Sequence, residues 1–164
     1  MNRERNRRNL IVGAISLAVI AALFALGWHL QTRQKADDRR TLAAADAAMA
    51  RGIAGDCGAF ARAQAGYVKV MQHYLQNKDL VGKAQIANDL AKLCGHVTAT
   101  ELQNRELVAV ATKYAPAELT ALALAQLAVG NREAALFTLA RLPDDPLCQW
   151  LSGWLRSIPP VPKR

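Results

Sequence analysis

Cysteine, histidine and paired acidic residues are where this 164-residue chain could carry chemistry. Its three cysteines are Cys57, Cys94 and Cys148. Asp56, Cys57, His73, Cys94 and His96 could converge on a metal ion. However, no Cys-x-x-Cys, Cys-x-x-Cys-His or His-Glu-x-x-His spacing supports such a site, so neither a metal nor a cofactor is expected. Serine is nearly absent. Beyond Ser16 there are only Ser152 and Ser157, neither in the Gly-x-Ser-x-Gly setting that exposes a nucleophile. No Gly-rich loop is placed to cradle phosphate. Asp37–Asp38 and Asp144–Asp145 read as helix-start and turn residues rather than as a general acid and base. No catalytic residue is expected, and the chain does not read as an enzyme.

The elements that must position the cysteines are helices. From Gln31 onward no stretch alternates apolar and polar residues as a strand would, and Ala, Leu, Gln, Lys and Arg dominate. Glycine and proline breaks predict helices over Lys35–Met49, Gly58–Gln76, Asp79–Cys94, Thr100–Tyr114, Pro116–Val129, Arg132–Leu142 and Leu147–Arg156. Thr100 is the expected cap of the fourth, and the fifth, apolar nearly all round, should be the most buried. In the second, Phe60, Ala63, Tyr67, Val70, Met71 and Tyr74 share one face. Short connections make neighbouring helices antiparallel. If the second and third helices pair around Gln76–Asp79, Cys57 and Cys94 meet at the open end of that hairpin. A Cys57–Cys94 disulfide is therefore expected, stabilising the fold by roughly 3–4 kcal/mol through chain entropy. Cys148 is then left as a buried thiol, with pairing elsewhere or between chains still open.

The N-terminal segment reads differently. Leu10–Trp28 is nineteen residues without a charge, about 28 Å as a helix. It predicts an uncleaved transmembrane helix, in competition with a cleaved secretory signal ending near Ala25 and Gly27. Basic residues flank it on both sides, but Arg3, Arg5, Arg7 and Arg8 lie closer to it and favour a cytoplasmic N-terminus. The expected organisation is a basic cytoplasmic tail over 1–9, a membrane span over 10–28, a juxtamembrane linker over 29–40, a helical-hairpin domain over 41–156 and a Pro-rich tail over 157–164. The fold class is all-α: a transmembrane helix followed by antiparallel helical hairpins of α-solenoid type. The expected location is the bacterial inner membrane, with the C-terminal domain in the periplasm.

One stretch, Leu122 to Pro146, resembles a tetratricopeptide repeat. Gly130 stands at the turn between two helices, Ala135 is the small packing residue of the second helix, and Leu139 stands where that family prefers an aromatic. Pro146 follows. The 34-residue period fails upstream, so the likeness covers about one repeat. It implies stacked helical hairpins that bind another protein, and no catalytic residues. The expected function is a membrane-anchored scaffold or accessory protein. The alternative is a small structural subunit of a larger membrane complex, such as a secretion, enzyme-maturation or energy-transducing assembly, held mainly by its transmembrane helix. Expected partners are proteins and the lipid bilayer. The net charge of +8 forms no basic stripe, so nucleic acid is not expected, nor is a small-molecule substrate.

Overall fold

The computed structural model describes residues 2–74 and 76–160, with side chains from residue 17 onward within that range. Among the described residues there are seven helices and no strand: α1 (Asn2–Ile53), α2 (Cys57–Met71), α3 (Lys78–Leu93), α4 (Ala99–Ala111), α5 (Pro116–Ala128), α6 (Arg132–Leu139) and α7 (Pro146–Ser157). The chain divides into two compact units, 1–40 and 41–164.

Helix boundaries in the second unit follow local chemistry. The Asn77 side chain accepts the Asp79 and Leu80 amides at 3.0 and 3.3 Å and so starts α3. Thr98 does the same for α4 through Glu101 N at 3.1 Å, Asn131 for α6 through Ala134 N at 3.1 Å, and Asp145 for α7 through Cys148 N at 2.9 Å. Pro116 and Pro146 open α5 and α7, where a missing N–H removes no helical bond. Gly55, Gly95 and Gly130, all at positive φ, follow α1, α3 and α5.

Packing runs from hairpin to hairpin. α2 pairs with α3 and α5 with α6, while α5 also touches α3, α4 and α7. The last turns of α1, from Thr41, lie against α2 at close range. A Cβ on Gly66 would stand 2.8 Å from Ala45 Cβ, and one on Gly52 would stand 2.5 Å from the Phe60 ring. Glycine is needed at both positions because the two helices leave no room for a side chain. Phe60, Tyr67, Leu90, Leu127, Leu139, Leu151 and Leu155 fill the core, together with many alanines. α5 is the most buried helix, with seven of its thirteen residues inside. α7 lays Trp154 edge-on to Tyr67 (centroids 6.1 Å apart) and stacks it on Trp150 (5.7 Å). Trp150 Nε1 donates to Asp79 Oδ1 at 2.5 Å and ties α7 to the start of α3.

The first unit overturns the membrane expectation. Among the described residues no helix is long and apolar enough to cross a membrane. The part of the expected span with described side chains is Leu17–Trp28, twelve residues and about 18 Å long. It gives way to His29, Thr32, Arg33, Gln34 and Lys35 within the same helix. Leu10–Ser16 lie outside the residues whose side chains are described, as do the basic tail at 1–9 and positions 161–164. The fold class is corrected accordingly, to an all-helical chain with no transmembrane helix shown. The inner-membrane location, the periplasmic placement, the bilayer as partner and the subunit held by a membrane helix lose their support with it.

Smaller corrections concern helix ends. The helix expected over Lys35–Met49 is the C-terminal part of α1, so Asp37–Asp38 lie inside a helix and not at its start; Asp37 pairs with Arg40 at 3.7 Å. α2 stops at Met71, which leaves Tyr74 in the following turn and exposed, off the core face. The cap of α4 is Thr98, not Thr100, because Thr98 is the residue in extended backbone with its hydroxyl three residues ahead of the Glu101 amide.

Candidate functional site

The cysteines come together as the hairpin geometry requires. α2 begins at Cys57 and α3 ends just before Cys94, so the two lie at one end of the pair. Their sulfurs are bonded at 1.98 Å, with Cα atoms 5.6 Å apart. Cys94 Sγ also lies 3.5 Å from the Ala128 carbonyl oxygen, where the α2–α3 hairpin meets the end of α5. Of the other residues weighed for a metal, Asp56 pairs with Arg62 at 2.5 Å, and His73 and His96 are exposed in turns. Among the described residues no three His, Cys, Asp or Glu side chains are placed to hold a metal ion. Cys148 is buried on α7 with a free thiol. Burial, reinforced by a hydrogen bond to Asp145, pushes its pKa up to about 11. A thiol held protonated is a poor nucleophile. Burial, then the hydrogen bond from its hydroxyl to Asp46 Oδ1 at 2.6 Å, likewise raises the Tyr67 phenol well above its ordinary value.

The residues singled out for their repeat-like spacing fall in one hairpin. Gly130 lies in the α5–α6 turn at φ +80, where a Cβ would stand 3.1 Å from the Ile53 carbonyl oxygen. Ala135 and Leu139 are buried on α6. Pro146 is the first residue of α7. These are packing positions and carry no reactive group.

The surface of the same region has a different character. α4 buries a single residue, Ala109, while Leu107, Val108 and Val110 are exposed. Phe137 on α6 is 68% exposed and Leu107 61%. At 100° per residue Val110 lies about 40° and Leu107 about 100° around α4 from Glu106. Arg141, just past the end of α6, donates from Nη1 to Glu106 Oε1 at 2.7 Å. The Arg141 guanidinium also lies over the Tyr114 ring (4.6 Å) and the Phe137 ring (5.4 Å). One cation therefore gathers two aromatic rings and a carboxylate.

The turn that presents Tyr114 is strained. Lys113 and Tyr114 have φ of 54 and 60, two successive non-glycine residues in the left-handed region. Such a conformation costs about 1–2 kcal/mol per residue. The backbone closes it with Lys113 N on Val110 O and Tyr114 N on Ala109 O, at 3.0 and 2.6 Å. Strain of this kind collects where function fixes a side chain. Sequence reasoning passed over this face, yet one signal was there: α4 carries apolar residues on both sides of Ala109, more than one packed face can bury.

The fold and this face together define a disulfide-tied helical-hairpin protein with exposed aromatic and aliphatic side chains. No family model, curated protein or solved structure matches the chain.

Proposed function

We propose that the protein is a binding module, a scaffold or accessory chain that docks another protein on the face formed by α4, the α4–α5 turn and the end of α6. The observation that carries this reading is the Arg141 guanidinium gathering Tyr114, the exposed Phe137 and Glu106, with Leu107 and Val110 exposed on the helix that carries Glu106. Tyrosine and arginine are residue types that binding hot spots favour, and exposed apolar side chains beside them mark interaction surfaces. Stacked hairpins of the tetratricopeptide type offer such faces, and the α5–α6 hairpin with Gly130, Ala135 and Leu139 supports that comparison. The Cys57–Cys94 disulfide suits a domain that folds where thiols oxidise.

The test is photo-crosslinking from the full chain in its own cells, with the photoreactive residue at Leu107, at Phe137 or, as a control, at Gln85 on α3. One protein, identified by mass spectrometry and captured from 107 and 137 but not from 85, is expected. Leu107→Asp should abolish capture from 137. Equal capture from 85, or none from either face position, refutes the reading.

A further inference from the structure

A second surface feature, sharing none of the side chains of that face, lies where the turn after α6 meets α7. A cleft of about 240 Å³ opens there. Its floor is apolar, with Leu139 and Leu142, and one side is a single stripe of α7: Cys148, Ser152 and Arg156, spaced i, i+4 and i+8. Three observations distinguish it from a packing defect.

First, Ser152 lines the cleft, and its hydroxyl, open to the cleft rather than sealed in the core, makes no hydrogen bond to a described residue and is available to a ligand. Second, Arg156 is the one ionised residue in the lining and makes no ion pair among the described residues. Third, Gly153 lies in the interior of α7, where glycine is the poorest helix former after proline. Packing does not demand it, since a Cβ there would meet nothing within 4 Å. The space it leaves is part of the cleft.

We propose that this cleft binds a small carboxylate with a short apolar body, its carboxylate held by Arg156 and the Ser152 hydroxyl and its hydrocarbon end against Leu139 and Leu142. A guanidinium with a neighbouring hydroxyl donor suits a carboxylate. The volume equals about eight water molecules at ~30 Å³ each, which fits a ligand of about eight non-hydrogen atoms. Cys148, buried and protonated, serves as part of the wall. No small-molecule ligand is expected from the residues alone. The proposal uses no residue of the α4–α6 face, so it stands or falls separately from the protein-docking reading.

The experiment is an NMR titration of the isotope-labelled full chain with sodium hexanoate, with 1-hexanol and hexylamine as probes lacking the carboxylate. Saturable shifts centred on the Ser152, Gly153 and Arg156 amides are expected with hexanoate, and at least fivefold weaker binding of the alcohol and the amine. Arg156→Gln, at an exposed position, should weaken hexanoate at least fivefold. Gly153→Leu should abolish binding by filling the mouth. If that variant fails to fold, Arg156→Gln and the two neutral or cationic probes decide the matter alone. Absence of saturable shifts, equal binding of 1-hexanol, or an Arg156→Gln variant that binds like the parent would overturn the proposal.

Discussion

The α2–α3 hairpin and helix α4 are built to opposite specifications. α2 and α3 each bury five residues, are joined by a disulfide at one end and are tied to α7 near the other by the Trp150–Asp79 hydrogen bond. α4 buries one residue, packs mainly on α5 and ends in a strained turn. Helix for helix the aliphatic content is similar, with six Ala, Val, Leu or Ile in α2, eight in α3 and seven in α4. They differ in where those residues point, inward in the hairpin and outward on α4. In this molecule apolar content by itself therefore does not mark core, and stability and exposed apolar surface are assigned to different helices.

The widest test of that contrast is removal of the disulfide. Cys57→Ser with Cys94→Ser, or reduction of the parent, should lower the unfolding free energy by about 4 kcal/mol for a loop of 37 residues. Urea denaturation reads it, and a loss under about 1 kcal/mol would mean that the hairpin does not depend on its bridge. Next comes Gly52→Ala. Its Cβ would meet the Phe60 ring, and the overpacking should cost about 2 kcal/mol net of the helix-propensity gain. The same change in an exposed helix would stabilise.

An alkaline titration probes the buried thiol. The Cys148 pKa is raised on folding from an unfolded value of 9.0 to about 11. The unfolded chain therefore loses this proton first as pH rises. The stability linked to it is complete below pH 9 and is lost between 9 and 11. Cys148→Ala should show a shallower decline over that window in urea midpoints.

On the α4 side the effects reverse or vanish. Lys113→Gly should stabilise by about 1 kcal/mol by relieving the left-handed backbone, and a loss there would contradict the strain. Leu107→Asp should change stability by less than about 0.5 kcal/mol, because the side chain is already in water. A large loss would show that α4 is core after all.

Sequence spacing made the hairpin side the more legible. Glycines at 55, 95 and 130 and prolines at 116 and 146 break helices in both readings, and the distance of Cys57 and Cys94 from their turn pointed to the pair that the structure bonds. The ends were less legible. Tyr74 continues the periodicity of α2, but the chain must already be turning toward Asn77 to cap α3. The corner at Pro116 was legible but its left-handed backbone was not, because the residues that adopt it are Lys113 and Tyr114, where the rule looks for glycine or asparagine. The exposed apolar side of α4 was invisible for a related reason: periodicity counts apolar residues and does not say which lack a neighbour. The uncharged N-terminal run suggested a span that the described residues do not show.

The way α7 closes the hairpin also has a consequence in time. Trp150 reaches Asp79 across 71 residues of chain. During synthesis at 5–20 residues per second, the apolar side of α2–α3 stands open for roughly 4–14 s before its last covering helix exists. A chain truncated between α3 and α7 would lack Trp154 and leave the Tyr67 side of the hairpin uncovered.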